Sequence, residues 1–225
     1  MLHLPPHSKN FLIPPSTRRK FLLRFTLITV CGWFVATIAR IAVENILLSN
    51  NLTNIDAFPW VKILCSIIFA VIFAADQALV LGSYISPKLW TLATTIGWLL
   101  LESPSINWVK YFFPQLTLTG VLSTILYICS GICLGLCQWL VLRRYAKSPW
   151  VWIFQPSLCF LAISLFTLLP QNLIPKTHHT PILYWSEQSL KAIILGVIPG
   201  FCLCSFKKNP HYSAKISSSS YFNDN

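Results

Sequence analysis

Charged residues are scarce in this chain of 225 residues. Asp, Glu, Lys and Arg together make up 10% of the residues, against about a quarter in an average soluble domain. Hydrophobic residues make up 55%, and they come in runs of roughly 20, the length with which a helix spans the hydrocarbon core of a bilayer. This pattern excludes an ordinary soluble domain and predicts an all-α integral membrane protein.

Catalytic and nucleic-acid-binding signatures are also absent. The sequence has no G-x-S-x-G, H-E-x-x-H or P-loop motif and no pair of catalytic carboxylates, so we expect no enzymatic activity. The formal net charge is +11, but the basic residues lie at the ends of apolar segments, and no polar region is large enough to read bases. Nucleic acid is therefore excluded as a partner, whereas the lipid bilayer is expected as one.

Cysteine is plentiful, but its positions do not favour disulfides. Most of the eight cysteines fall inside apolar runs instead of polar loops. Cys129, Cys133 and Cys137 would form one stripe on a helix, yet the first and last would be about 12 Å apart, too far to bind one ion. The pattern predicts packing residues, no metal site and no cofactor. A redox protein that uses these cysteines is a weaker alternative.

Six apolar segments predict six transmembrane helices in a single domain, residues 18–208. The segments cover about Phe21–Leu47, Val61–Leu81, Leu89–Leu101, Leu116–Leu142, Trp150–Leu169 and Leu190–Phe206. The third is short for a membrane span. Residues 1–17 and 209–225 are polar and are predicted to be disordered cytoplasmic tails. No small-residue cleavage site follows the first basic cluster, so the first helix should be retained.

The basic residues give the orientation. Twelve of them fall on one side of the predicted topology: Lys9, Arg18, Arg19, Lys20, Arg24, Lys88, Arg143, Arg144, Lys147, Lys207, Lys208 and Lys215. Because cytoplasmic loops are enriched in Lys and Arg, both termini are predicted to be cytoplasmic. Arg143, Arg144 and Lys147 could also contact anionic lipid head groups.

Two sequence patterns recur. At an offset of 61, "AVIFAADQALVLGS" (Ala70–Ser83) matches "GICLGLCQWLVLRR" (Gly131–Arg144), so that Gln77 falls on Gln138; just beyond, Trp90 falls on Trp152 with one residue inserted. At an offset of 65, "TLITVCGW" (Thr26–Trp33) and "TLATTIGW" (Thr91–Trp98) share five of eight positions. We interpret the chain as three degenerate helical hairpins, covering about 21–81, 89–142 and 150–206.

The matched segments place small residues and an amide on one helix face. At 100° per residue, Gly131 and Gly135 share a face with Gln138, as Ala70 and Ala74 share one with Gln77. Gly196 and Gly200 are a weaker third match to this pattern. Small residues allow helices to approach closely in lipid, and an amide can then form a hydrogen bond across the contact. This predicts a packing seam; the alternative is that the glutamines are ligands in a central cavity.

Asp76 is the one acidic residue well inside an apolar run. Ionisable residues within the membrane are candidates for function. With Gln77 and Gln138, Asp76 therefore forms a candidate intramembrane polar site. Arg143, at a similar predicted depth, is a candidate basic partner.

The motif G-x-x-x-G-x-x-Q-W-L-V-L-R-R, followed by a Trp-rich helix and a closing "GVIPG", resembles a group of functionally uncharacterised multi-pass membrane proteins common in cyanobacteria. The resemblance covers about Leu27–Phe206 and implies a bacterial inner (plasma) membrane or a thylakoid membrane; it implies no activity. The first copy departs from the motif at Asp76, Ala78 and Gly82, and helix 6 has Leu203 in place of the glutamine.

Two functions remain open at this level. The favoured hypothesis is a non-enzymatic role in assembly, scaffolding or modulation of a membrane complex, with a membrane-protein partner or a second copy of the chain. The alternative is a transporter of a small solute or ion, with its site near Asp76, Gln77 and Gln138.

Overall fold

Helices form nearly all of the regular structure in a computed structural model that describes residues 11–49, 59–102, 121–173 and 181–210. The six α-helices in these ranges are α1 (Arg18–Ser49), α2 (Pro59–Leu81), α3 (Pro87–Glu102), α4 (Val121–Leu142), α5 (Gln155–Leu173) and α6 (Pro181–Ser205). Short 3₁₀ helices precede α1 (Pro15–Thr17) and α5 (Pro149–Phe154). The described residues contain two isolated β-bridges but no strand, which confirms the all-α prediction.

Proline marks where helices begin. Pro59, Pro87 and Pro181 are the first residues of α2, α3 and α6, and Pro15 and Pro149 open the two 3₁₀ helices. The first helical position suits proline because its missing N–H would have no partner in the helix there. For α6 this start lies nine residues before the predicted Leu190. The polar stretch Ser186–Ser189 separates the first turn from the predicted apolar run, so an apolar run alone underestimates the length of the helix.

Five helical segments are long and apolar enough to cross a membrane: Pro15–Leu47, Ile63–Leu81, Ile125–Leu142, Pro149–Phe166 and Pro181–Ser205. These segments fit a membrane-embedded protein. The remaining helix, α3, has 16 described residues, or about 24 Å of rise, against about 30 Å of hydrocarbon. Residues 103–120 lie outside the described ranges, and so does the predicted start of the fourth span.

The six helices form a closed ring in the order of the chain. Each helix packs against the next one, and α6 packs against α1. Two buried apolar clusters fill the ring. The first, which includes Phe25, Trp90 and Trp152, lies toward the end that carries the N-terminus of α1. The second includes Trp33, Trp98 and Phe160.

The end of the bundle that carries the N-terminus of α1, called the basic end here, is closed by chain segments from four places. The Leu12 amide donates to the Phe206 carbonyl (2.9 Å), and the Lys147 amide donates to the Lys207 carbonyl (2.8 Å). The hydroxyl of Tyr145 accepts a hydrogen bond from the Ser86 amide (3.2 Å). The α2–α3 and α4–α5 connections are thereby tied to the two terminal segments.

This closure corrects one boundary of the predicted tails. Residues 11–17 are not a disordered tail, because Ile13 is fully buried in the first cluster and the Arg18 guanidinium lies over the Phe11 ring, 4.4 Å from its centroid. The segment is ordered because its apolar side chains Leu12 and Ile13 are buried in the first cluster. At the other terminus the Asn209 amide donates to the Tyr145 carbonyl (2.8 Å). Residues 1–10 and 211–225 lie outside the described ranges.

Candidate functional site: a central cavity lined by glutamines

A small cavity lies between the two apolar clusters, with residues from all six helices in its wall. Its volume is about 20 Å³, which is room for roughly one water molecule. The lining residues are Phe25, Phe73, Gln77, Trp90, Trp98, Leu134, Gln138, Trp152, Gln155, Pro156, Leu195 and Pro199. None of the described residues in this wall is charged, so amides and indoles supply the polar side-chain groups.

Gln138 is fixed by hydrogen bonds to two neighbours. The Trp152 indole Nε1–H donates to Gln138 Oε1 (2.9 Å), and Gln138 Nε2 donates to the Thr94 hydroxyl (3.1 Å). All three side chains are buried. Thr94 belongs to α3 and Trp152 to the 3₁₀ helix before α5, so a single amide joins α4 to the elements on both sides. We call Thr94, Gln138 and Trp152 the closed triad.

The residues that the sequence repeats match to the closed triad are Thr29, Gln77 and Trp90, which we call the open triad. Thr29 and Trp90 are almost completely buried. Among the described residues, however, the Thr29 hydroxyl and the Trp90 Nε1–H have no hydrogen-bond partner. Gln77 therefore forms neither of the two hydrogen bonds that Gln138 forms. An unpaired buried polar group lowers the free energy of unfolding by about 1–3 kcal/mol. The open triad is therefore less favourable than the closed one.

The cavity wall also contains a weakened turn of helix. Pro199 lies inside α6, and proline has no N–H to donate to the carbonyl four residues earlier. That carbonyl belongs to Leu195, which lines the cavity together with Pro199. A turn of α6 that lacks one helical hydrogen bond therefore lies beside the cavity.

A third glutamine was not singled out from the sequence. Gln155 begins α5, is buried, and lines the cavity; its Nε2 donates to Cys159 Sγ (2.9 Å). It lies next to Pro156 and outside the repeated motif. It lies five residues inside the predicted segment Trp150–Leu169, and its polarity within that segment is the only sequence signal for it.

The glycines of the repeated motif lie where helices meet closely. A Cβ atom on Gly131 would lie 2.7 Å from the Ser157 amide nitrogen, and one on Gly135 would overlap the Ile153 carbonyl. These contacts join α4 to α5 and to the 3₁₀ helix before it. Close approach of α4 to this neighbour thus accompanies the hydrogen bonds of Gln138, as expected for a packing seam in lipid.

The other predicted packing residues are also at helix contacts or in the core. A Cβ on Gly196 would lie 2.9 Å from Thr26 Cα, and one on Gly200 would lie 2.7 Å from Leu22 Cδ1, so both face α1. Ala70 and Ala74 are fully buried on α2. The small residues of all three segments are therefore on inward or interhelical surfaces.

Asp76 does not share the site of the two glutamines. It is half-buried and is absent from the cavity wall. Its carboxylate lies against Gly32 of α1, where a Cβ atom would overlap Asp76 Oδ2. The candidate site is thus divided: Gln77 and Gln138 line the cavity, and Asp76 occupies the groove between α1 and α2. The reason is the helical rotation of about 100° between consecutive residues.

The predicted basic residues lie on the surface of the basic end. Arg143, Arg144 and Lys147 are exposed, and the Arg143 guanidinium lies over the Trp139 ring, 5.2 Å from its centroid. Arg143 does not pair with Asp76. Contact of the three cationic side chains with anionic lipid stays a prediction, and their exposure next to the membrane-spanning segments supports it.

The cysteines are free thiols in the described part of the chain, and no group of three or more His, Cys, Asp or Glu side chains converges there to hold a metal ion. Comparison with protein-family models, with curated proteins and with solved structures finds no match to this chain.

Proposed function

We propose that the protein is non-enzymatic and serves in the assembly, scaffolding or modulation of a membrane complex, with a transmembrane helix of a partner seated on the α1–α2 groove. The observation that carries the proposal is Asp76. It lies five residues before α2 ends at Leu81, or about 7.5 Å along the helix, in a helix whose spanning segment is Ile63–Leu81.

A half-exposed carboxyl at this depth is costly in lipid. Intramembrane acidic residues are rare, and they generally face a protein partner or pair with a cation or hydrogen-bond donor. Within the described ranges Asp76 makes no ion pair, and its carboxylate fills the space beside Gly32. A partner helix with a cationic or hydrogen-bond-donating side chain would satisfy the carboxyl.

The test is purification in mild detergent with identification and quantitation of whatever co-purifies. Asp76→Asn keeps the shape of the side chain and removes the charge. We expect the co-purified partner to fall by about tenfold, which corresponds to about 1.4 kcal/mol. Glu187→Gln is the matched control, because Glu187 is an acid on α6 that already pairs with Lys191 (2.7 Å). An unchanged yield of partner from Asp76→Asn, or no partner in the wild type, would contradict the proposal.

Transport of a small solute or ion is the second candidate, and one observation favours it. Gln77 and Gln138 line one cavity whose wall includes all six helices, and transporters commonly hold substrate at such a central position. Asp76 would not be part of this site. A wall without charge favours an uncharged solute over an ion.

We further propose that the ring consists of three hairpin repeats with both termini in the cytoplasm, in a bacterial inner or thylakoid membrane. Matching contacts support the repeat. Gly32 of α1 lies against Asp76 of α2, and Gly97 of α3 lies against Cys137 of α4. Gly97 follows Gly32 by 65 residues and Cys137 follows Asp76 by 61, the two offsets at which the sequence repeats. The basic end agrees with the positive-inside rule for this orientation.

A further inference from the structure

We propose that the basic end carries a binding site for the head group of an anionic phospholipid. Five cationic side chains from two segments distant in sequence form this site, which we call the cationic patch: Arg143, Arg144, Lys147, Lys207 and Lys208. The proposal goes beyond a role in assembly and does not depend on it. It joins Lys207 and Lys208 to the lipid contact that the sequence predicted for the other three residues.

Backbone pairing brings the two segments of the cationic patch together. The residues after α6 run antiparallel to the α4–α5 connection, where Ala146 and Lys208 form an isolated β-bridge. The Lys147 amide donates to the Lys207 carbonyl (2.8 Å). Because bridged residues lie about 5 Å apart, the pairing makes neighbours of cations from two distant parts of the chain. The sequence alone gave no reason to place them together.

The positive charges of the patch have no acidic partner. All five side chains are exposed, and none forms an ion pair within the described residues. The acidic residues Glu44, Glu102 and Glu187 lie toward the opposite end of the bundle. Asp76 lies against Gly32 in the α1–α2 groove. Neighbouring like charges create a positive potential that attracts an anion.

The surface beside the patch favours a lipid over a soluble anion. Leu140 and Leu136 of α4 lie about one and two helical turns before Arg144, and both side chains are exposed. Trp150, in the 3₁₀ helix that follows Lys147, is also exposed. Cations next to an exposed apolar surface match the head group and the acyl chains of a phospholipid. A soluble anion would contact the cations alone.

Arg143 is placed at the boundary between the charged and the apolar surface. Its guanidinium lies over the ring of Trp139, 5.2 Å from the centroid, and tryptophan is enriched where a membrane meets water. A guanidinium binds phosphate oxygens with two parallel N–H donors, whereas a lysine ammonium acts as a point charge. We therefore expect Arg143 to contact the lipid phosphate directly and the lysines to add electrostatic attraction.

The experiment measures lipid retention by the full chain in mild detergent, using native mass spectrometry. The probes are phosphatidylglycerol, which is anionic, and phosphatidylcholine with the same acyl chains, which has no net charge. We expect phosphatidylglycerol to be retained about tenfold more strongly. Equal retention of the two lipids would mean that only the acyl chains are bound, and it would overturn the proposal.

Two double variants separate the patch from the total charge. Lys147→Gln with Lys208→Gln removes one cation from each segment of the patch and should weaken retention of phosphatidylglycerol about tenfold. Lys20→Gln with Arg24→Gln removes the same charge from exposed positions of α1, whose neighbours in the ring are α2 and α6. This control should change retention by less than about twofold. Equal losses in the two variants would overturn the proposal.

Competition identifies the source of the anionic group. Inorganic phosphate at the same concentration should not displace phosphatidylglycerol from the wild type, because phosphate cannot use the apolar surface. Displacement by phosphate would assign the patch to a soluble anion, and displacement by a glutamate-rich peptide would assign it to an acidic protein. Either result would overturn the lipid assignment. The lipid comparison and this competition use the wild type, so they decide the matter even if a variant fails to fold.

Discussion

At the scale of single residues, the same residue type forms different hydrogen bonds because its neighbours differ. Gln138 has two hydrogen-bond partners in the closed triad, while Gln77 forms no hydrogen bond with the matched residues Thr29 and Trp90. Asp76 adjoins Gln77 in sequence but faces another helix. The sequence identified all three residues as candidates; the direction of each side chain depends on helix rotation and on the backbone of the next element.

Substitution of the two glutamines should destabilise the protein to different extents. Gln138→Leu leaves the Trp152 indole N–H and the Thr94 hydroxyl without their partner, and we expect a loss of about 1–2 kcal/mol in the free energy of unfolding. Gln77→Leu removes no hydrogen bond to Thr29 or Trp90, so its loss should be smaller. Unfolding with denaturing detergent, followed by circular dichroism, measures both variants. Equal losses would contradict the distinction between the closed and open triads.

At the scale of helices, close contacts depend on glycine. The interfaces α1–α2, α3–α4, α4–α5 and α6–α1 each have a glycine where a Cβ atom would meet the neighbouring element at less than 3 Å. In lipid, such contacts rely on dense packing and hydrogen bonds, because the hydrophobic effect does not drive helices together there. A helix that cannot approach its neighbour also places its polar side chains out of reach.

Gly135→Ala should therefore destabilise the bundle. The added methyl would overlap the Ile153 carbonyl, a backbone atom that cannot rotate away, and overpacking of this kind costs about 1–3 kcal/mol. The Gln138–Trp152 hydrogen bond should lengthen as the 3₁₀ helix moves, which weakens the protection of the Trp152 indole. The same unfolding assay and indole exchange measure these effects.

Gly82→Ala is the control for this substitution. Its Cβ would lie 3.2 Å from the Ala78 carbonyl of the preceding turn, so a small shift can relieve the contact, and no neighbouring helix is displaced. A destabilisation as large as that of Gly135→Ala would mean that the loss reflects the added methyl in general and not the contact between α4 and the 3₁₀ helix.

At the scale of the whole molecule, the ring closes because α6 returns to α1. The terminal segments then meet the α2–α3 and α4–α5 connections at the basic end, where backbone hydrogen bonds join them. Leu12 and Ile13 add their side chains to the first apolar cluster. This end of the bundle is a folded cap and not merely a set of loops.

The predicted orientation can be measured directly. A reporter fused after Lys208 should be active in the cytoplasm, and a reporter inserted before Pro181 should be active on the opposite side, because the basic residues collect at the end that carries Lys208. Paired fluorescent and phosphatase reporters distinguish the two compartments. Exposure of the Lys208 fusion outside the cytoplasm would exclude the model of six spans with both termini inside.

The sequence by itself determined the all-α class, the existence of the helices and most of their ends, because apolar runs, prolines and clustered basic residues are local signals. It also identified Gln77, Gln138 and the glycines, since the repeats make them conspicuous. It failed in two places: residues 11–17 were predicted to be a tail although Ile13 is buried by distant elements, and the polar stretch Ser186–Ser189 separated the start of α6 from its apolar run.

Only the tertiary structure decided which polar groups meet. The separation of Asp76 from the cavity, the position of Gln155 in its wall and the difference between the two triads all depend on how six helices rotate and approach within a closed ring. A sequence repeat records matched residues, but hydrogen bonds require matched geometry to within a few tenths of an ångström. One inserted residue and a 3₁₀ turn in place of an α-helical turn are enough to change that geometry.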